Sequence, residues 1–516
     1  MPKKEILSIN QQTEENLRFQ TEKKEEETKI KEENPTTIQL QETELINLTV
    51  LKPSQSRGTK PFYLIFKDIT YQIPISKDKS KTVLNKVSGY FTSGQVTAIM
   101  GPSGCGKTTL LNFLTSRINF PKDSVHNGLI YLNSEEIEPE TVSEYSSYVM
   151  QDDVLMETLT PTELFTFIAK LKADKTEEEY KQQVQEIIDI LKINKCKDTR
   201  IGSVEKKGLS GGEKKRVSIG CEIISNPSIL FLDEPTSGLD SATSEIVITF
   251  LKELASIKNM IIAFSIHQPS SNIVNLFDKV LIINKGELVY QGSVKGNDSD
   301  GGIISYFDKE IEIPLETKSN PSDAFMHVIE EQKAGIDGTH EIETIVLKGK
   351  KPLTELYKEK RRAIIEKEIN SIIVQDEKCL LPKKNSHKVS YFKEFNQMLW
   401  RSWTCYIRNP KVIIIKTVMT LVFTFFSLSI FWSLDNAYQG AYDKAGFLFF
   451  FSLNNLLSIL FDSILVFPQE RVVFLRDYSN QLYGVSSYYL SKNIVETPLV
   501  LINAVLFGVF IYHEQD

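Results

Sequence analysis

A chain of 516 residues has room for roughly two to four domains. Its formal charge of −7 gives no basic field of the kind nucleic acid requires, so no nucleic-acid partner is expected. The 5 cysteines are odd in number and none pair at metal-ligand spacing, and the 6 histidines are scattered, which predicts free thiols in a reducing compartment and no zinc site.

Residues 1–58 are rich in Glu, Lys, Gln and Thr and poor in aromatics. They read as a disordered tail that cannot bury a core. No charged n-region followed by an apolar run stands at Met1, so no cleaved signal peptide is expected. Residues 60–330 read as an α/β domain. Phe66–Ile73 is strand-like, and Val96–Met100 and Ile229–Leu232 are short apolar runs that suit buried parallel strands. Glu177–Leu191 has apolar Val184, Ile187, Ile188 and Leu191 at helical spacing.

After Val96–Met100 comes GPSGCGKTT: Gly101, Pro102, Ser103, Gly104, Cys105, Gly106, Lys107, Thr108 and Thr109. This is the phosphate loop G-x-x-x-x-G-K-[ST]. Its glycines let backbone N–H groups close around phosphate oxygens, and the following helix adds a favourable dipole. Lys107 is expected to reach the terminal phosphates and Thr108 to ligate Mg²⁺. Asp233 ends the apolar run Ile229–Leu232, which places its carboxylate beside the phosphate loop as a Mg²⁺-associated group. Glu234 follows, placed to polarise an attacking water. Tyr71 is the aromatic candidate for stacking on adenine; packing in the sheet is the equal alternative, and Phe62, Tyr63 and Phe66 compete for the role. Cys105 reads as a variable small residue rather than a redox sensor.

Residues 331–390 form a charged connector, in which Leu353–Ile372 predicts a helix with a solvated, charge-paired face. From 391 the character changes. Spans are expected at about 412–434, 445–467 and 488–512, each about long enough for a ~30 Å hydrocarbon core. Arg401, Arg408, Lys411 and Lys416 flank the first span, and Arg471, Arg476 and Lys492 lie between the second and third, whereas Asp435–Lys444 holds a single Lys. The positive-inside rule then puts the α/β domain in the cytosol. Asn454, Ser458 and Asp462 share one face of the second span and are candidates for a cavity or for interhelical bonds.

These runs, with LSGGE (Leu209–Glu213), SGLD (Ser237–Asp240) and SIHQPSS (Ser265–Ser271), resemble an ATP-binding cassette (ABC) nucleotide-binding domain. The runs Met150–Phe165, Asn320–Ile329 and Arg471–Lys492, and the order cassette first and membrane second, are similar to the G subfamily, the White/multidrug/sterol-type half-transporters. The resemblance implies an α/β P-loop cassette followed by an α-helical transmembrane domain with three of an expected six spans. It implies Gln151 at Mg²⁺ and the attacking water, His267 at the γ-phosphate, and Ser210, Gly211 and Gly212 capping ATP on an opposite cassette. Asp240 links the two sites. One departure is Glu213 where Gln is commoner among ABC proteins. The implied activity is ATP hydrolysis with ATP and Mg²⁺, in a homodimer or a heterodimer with another G-type half-transporter. It would drive transport, in the export direction, of a lipid, sterol or other hydrophobic molecule across a plasma or internal membrane. Tyr391–Arg401 resembles the connecting helix at the membrane surface, and Pro468–Tyr478 is expected to press on the cassette near Gln151. Since the sequence stops after the third span, the alternative is a truncated, non-transporting protein that acts by pairing with a full-length half-transporter.

Overall fold

The computed structural model describes residues 61–76, 79–118, 120–121, 123–203, 207–296, 302–310, 353–375, 389–430 and 438–512, with side chains described in part beyond 410. The expected tail 1–58, His327, His387 and the cavity candidates Asn454, Ser458 and Asp462 lie outside these or have side chains outside them.

Two sheets build the cassette. The first is antiparallel, in the order β2-β1-β4-β5, from β1 (Tyr63–Ser76), β2 (Lys79–Thr92), β4 (Val125–Leu132) and β5 (Glu135–Ile137). The second has the order β10-β9-β3-β8-β7-β6, from β3 (Val96–Met100), β6 (Ser146–Val149), β7 (Ile229–Leu232), β8 (Ile261–Ser265), β9 (Lys279–Asn284) and β10 (Glu287–Ser293). Strands β3 and β6 to β9 run parallel and β10 closes an antiparallel hairpin with β9. Every residue of β3, β7 and β8 is buried, because helices cover both faces; this is why these strands read as unbroken apolar runs instead of alternating ones.

The covering helices are α1 (Lys107–Leu114), α2 (Pro139–Tyr145), α3 (Pro161–Lys172), α4 (Glu177–Ile190), α5 (Gly211–Ile223), α6 (Ser241–Lys258), α7 (Ser271–Val274) and α8 (Gly302–Ser305). Helix α4 matches the expected Glu177–Leu191, with Leu191 at its C-cap. Helices α3, α4 and α5 each open with a capping box, Thr160–Glu163, Thr176–Glu179 and Ser210–Glu213, which satisfies N–H groups that the first turn leaves without partners.

The connector departs from expectation. It forms two helices, α9 (Leu353–Lys360) and α10 (Arg362–Gln375), that break at Arg361. Their charges are not simply solvated. Arg361 is buried with its guanidinium over Tyr290 and Tyr306, and Lys358 pairs with Glu287 at 2.9 Å. Helix α10 lays Ile365 and Ile369 on Ile65, Tyr63, Tyr90 and Tyr131 of the antiparallel sheet. Around that patch Arg362 bonds Asp68 at 3.1 Å, Tyr90 donates to Glu368 at 3.1 Å and Lys67 donates to Asn370 at 3.2 Å.

Four helices follow: α11 (Tyr391–Ile407), α12 (Pro410–Ile430), α13 (Tyr438–Ser479) and α14 (Val485–Tyr512). The last three overlap the residues of the expected spans 412–434, 445–467 and 488–512. Among the described residues no helix is long and apolar enough to cross a membrane. The segment Pro468–Tyr478 is the continuation of α13, which accommodates Pro468 within its length.

Candidate functional site

The C-terminal edge of the parallel sheet gathers the chemistry. Strand β3 ends at Met100, and the chain turns through Gly101–Gly106 into α1, whose first residue is Lys107. Gly101 takes a φ of +147°, and a Cβ there would lie 2.1 Å from the Ile283 carbonyl oxygen, so only glycine lets the loop pass β9 this closely. Lys107 is buried and its ammonium donates to the carbonyls of Gly101 (2.7 Å) and Pro102 (3.1 Å), within the loop that it would share with a phosphate. On the loop Ser103 and Gly104 are exposed and Cys105 is buried; in the first turn of α1 Thr108 is exposed and Thr109 half-buried.

Strand β7 delivers Asp233 and Glu234. The Thr108 hydroxyl donates to Asp233 Oδ1 at 2.9 Å. Asp233 also accepts from the Ser265 hydroxyl at 2.6 Å, and that same hydroxyl accepts the Glu234 N–H at 2.9 Å. Glu234 sits at φ +44°, a region that disfavours a side chain bearing a Cβ, so its backbone needs the Ser265 anchor. Ser265 is fully buried at the end of β8; in the sequence it stands as the first residue of the SIHQPSS run, with no role of its own assigned. Gln151 Nε2 donates to Glu234 Oε2 at 2.9 Å, joining the loop after β6 to the carboxylate after β7. Burial, and next the Asp233 carboxylate, push the Tyr148 phenol up. His267 is half-buried in the loop after β8.

Thr108, Asp233 and Gln151 offer a hydroxyl, a carboxylate and an amide oxygen. Such a hard, oxygen-only donor set fits Mg²⁺, which keeps several waters and takes few protein ligands.

The residues at the start of α5 are placed differently. Ser210 N-caps the helix, with its bonds to Glu213, and Gly211 and Gly212 form the first turn. A Cβ on Gly212 would lie 2.3 Å from Thr243 Cγ2, so this glycine lets α5 approach α6. Asp240 N-caps α6 through Thr243, at 3.1 Å from its N–H and 2.6 Å from its hydroxyl. Lys215, on α5 and almost wholly buried, donates to the Gln151 carbonyl at 2.8 Å and pairs with Asp153 at 2.9 Å. The signature helix is thereby tied to the Gln151 loop through a lysine that the sequence presented as one of several surface-like charges.

Tyr71 lies in the core of the antiparallel sheet, among Phe62, Phe66 and Phe91. It is 4 % exposed and meets Phe120 edge-on at 5.5 Å. Phe62 and Phe66 are buried in the same cluster, while Tyr63 faces α10.

Helix α13 reaches the cassette just beyond Gln151. Arg476 donates to the Val154 carbonyl, and Asn480 bonds Arg117 at 2.5 Å and Glu222 at 2.7 Å. Burial raises the Glu222 pKa, against the pull of Arg476, Lys172 and Arg117. Arg401 of α11, Asp477 and Tyr483 form a second buried cluster: Tyr483 Oη accepts from Arg401 at 2.9 Å and donates to Asp477 Oδ2 at 3.0 Å. Arg401 also lies over the ring of Phe167 in α3, at 5.4 Å. Finally, Arg408 grips both carboxylate oxygens of Glu163, at 2.6 and 2.7 Å.

The ABC transporter family profile matches residues 84–237, and that of the ABC-2 type transporters matches residues 393–514. The chain is 32% identical over 484 residues to ABC transporter G family member 20 of Arabidopsis thaliana, covering 88% of this chain and 64% of that protein. It is 32% identical over 500 residues to G family member 2 of the same plant, covering 88% and 63%. A probable ATP-dependent permease of Saccharomyces cerevisiae is 32% identical over 516 residues, covering 87% and 49%. The chain thus spans a little under two thirds, or less, of these curated relatives. A phosphate loop, a carboxylate pair, a signature helix and a following helical region, all matched in order by these profiles and relatives, place the chain in the G family of ABC transporters.

Proposed function

We propose that the chain is an ATP-driven half-transporter whose cassette hydrolyses ATP and moves helices α12 to α14 across two states. The observation that carries this reading is the contact of Arg476 with the Val154 carbonyl, because it places α13 on the same loop as Gln151, whose side chain holds Glu234. A change at the γ-phosphate is felt at Gln151 and passed to α13 along a few residues of backbone.

In this reading Lys107 exchanges its two loop carbonyls for the terminal phosphates of ATP. Thr108 and Asp233, with Gln151 alongside, would hold Mg²⁺, which would supply positive charge to neutralise the phosphates. Glu234 orients and polarises the water that attacks the γ-phosphorus, the bond to the β,γ-bridging oxygen breaks, and ADP and phosphate leave. His267 contacts the γ-phosphate. Ser210, Gly211 and Gly212 complete the site of an opposite cassette, in a homodimer or with another G-type half-transporter, and Asp240 links the two sites. For Tyr71 to stack on adenine, Phe120 has to swing away from its edge.

The helices α12, α13 and α14 are assigned to the bilayer on their apolar sequence, with the cassette in the cytosol by the distribution of Lys and Arg. At 42 residues, α13 is about 63 Å long and exceeds a ~30 Å hydrocarbon core. Its C-terminal part therefore projects to the cassette. The cargo is a lipid, sterol or other hydrophobic molecule, and export is the direction that the family resemblance supports. The test is Glu234→Gln in the reconstituted dimer: ATP binding is retained and phosphate release is abolished. Unchanged phosphate release removes Glu234 from the chemistry.

A further inference from the structure

The signature helix carries an anion at the place where a second anion is to bind. Ser210 donates its N–H and its hydroxyl to the same oxygen, Glu213 Oε2, each at 2.9 Å. The hydroxyl oxygen in turn accepts the Glu213 N–H at 3.4 Å. Every hydrogen-bonding group by which Ser210 could meet a phosphate is thus closed on Glu213. These are charge-assisted bonds, stronger than bonds to a neutral amide. The start of α5 otherwise favours a phosphate through its dipole and the N–H groups of Gly211 and Gly212.

We propose that Glu213 is a positioning residue that competes with the γ-phosphate for Ser210 and so sets the ATP concentration at which two cassettes close. The proposal rests on the reading that Ser210–Gly212 complete an opposite cassette's site. Closing requires Ser210 to leave Glu213 Oε2, and it brings a carboxylate near a polyphosphate. Both effects oppose closure. A glutamine keeps the S-x-x-Q cap and weakens both, since it holds Ser210 through a neutral oxygen and adds no repulsion.

The experiment uses the whole chain in lipid nanodiscs, in the dimer that it forms, with closure followed by energy transfer between fluorophores on the two cassettes as ATP is added. In a Glu234→Gln background, Glu213→Gln is expected to lower the ATP concentration for half-closure about five- to tenfold, the effect of one like-charge contact at a partly solvated site. With Glu234 intact, the apparent KM for ATP falls by a similar factor while kcat moves by less than about twofold, a split that mere damage to the helix does not produce. Raising the salt concentration narrows the difference between the Glu and Gln forms. Glu213→Asp, which keeps the charge on a shorter stem, does not tighten closure. Half-closure unchanged or weakened by Glu213→Gln, while Ser210→Ala abolishes closure, overturns the competition and leaves the composite site standing. Closure unaffected by Ser210→Ala overturns the composite site, and the proposal with it.

Discussion

The capping boxes Thr160–Glu163 and Ser210–Glu213 start from the same local pattern and end in opposite conditions. In the first, Glu163 accepts the Thr160 N–H at 3.0 Å and gives both carboxylate oxygens to Arg408, a cation from another helix. In the second, Glu213 closes on Ser210, with a further hydrogen bond from the Cys196 thiol and only a longer-range attraction from Arg216. The acids show the difference. Arg408 is first in holding the Glu163 carboxyl below the ordinary carboxylate range. For Glu213, burial works against the charge, and the bonds from Ser210 and Cys196, with the Arg216 attraction, outweigh it. A cap neutralised from outside is a fixed joint; a cap closed on itself can open. The joint lies where helices α11 and α13 meet the cassette, and the openable cap lies where a partner is expected.

The largest effect should come from breaking the joint at its buried core. Asp477 is fully buried between Arg401, Arg476 and Tyr483, and Asp477→Asn leaves two guanidinium groups short of a counter-charge. A loss of about 3–5 kcal/mol is expected, read as a lower midpoint in thermal or denaturant unfolding of the chain, with nucleotide binding at Lys107 retained where the cassette stays folded. A smaller loss, about 1–2 kcal/mol, is expected for Glu163→Ala, which removes a cap and a partly exposed bidentate pair together. Adding Arg408→Ala to it should change little more, because the two act as one unit; full additivity would show that they do not.

The smallest effect is one of pH. The folded pKa of Glu163 lies below its unfolded value, so the unfolded chain binds more protons as acid is added. The contribution of Glu163 is complete above its ordinary value of 4.5 and fades as pH falls through the folded one. Glu163→Gln is expected to be less sensitive than the wild type to acid below about pH 4.5 in the same unfolding assay. Equal slopes would mean that Arg408 does not hold the carboxylate in solution.

Much of the nucleotide edge was legible in the sequence because its geometry is encoded locally. Gly101, Gly106 and Lys107 lie within one turn and one helix start, and Glu177–Leu191 shows its apolar residues at helical spacing. Ser265 opens the SIHQPSS run, but its role was not legible there because it depends on β8 lying beside β7. Lys215 was hidden in a run of charges, and only the approach of the Gln151 loop makes it a buried tie. Arg361 failed for the same reason. Its run ELYKEKRR reads as solvated until Tyr290 and Tyr306 are placed beneath its guanidinium.

That connector also bears on where the cassette ends as a unit of folding. Ile65 on β1 is fully buried, with Ile365 and Ile369 of α10 packed over it from 300 or more residues later in the chain. A cassette cut out by its motifs alone, ending near residue 310, would bare Ile65 together with Tyr63, Tyr90 and Tyr131 on the outer face of an antiparallel sheet. Such a patch invites association with itself. A fragment that keeps this face of the sheet covered therefore has to include α10, to Gln375, and the face cannot be sealed in this way until the connector has left the ribosome.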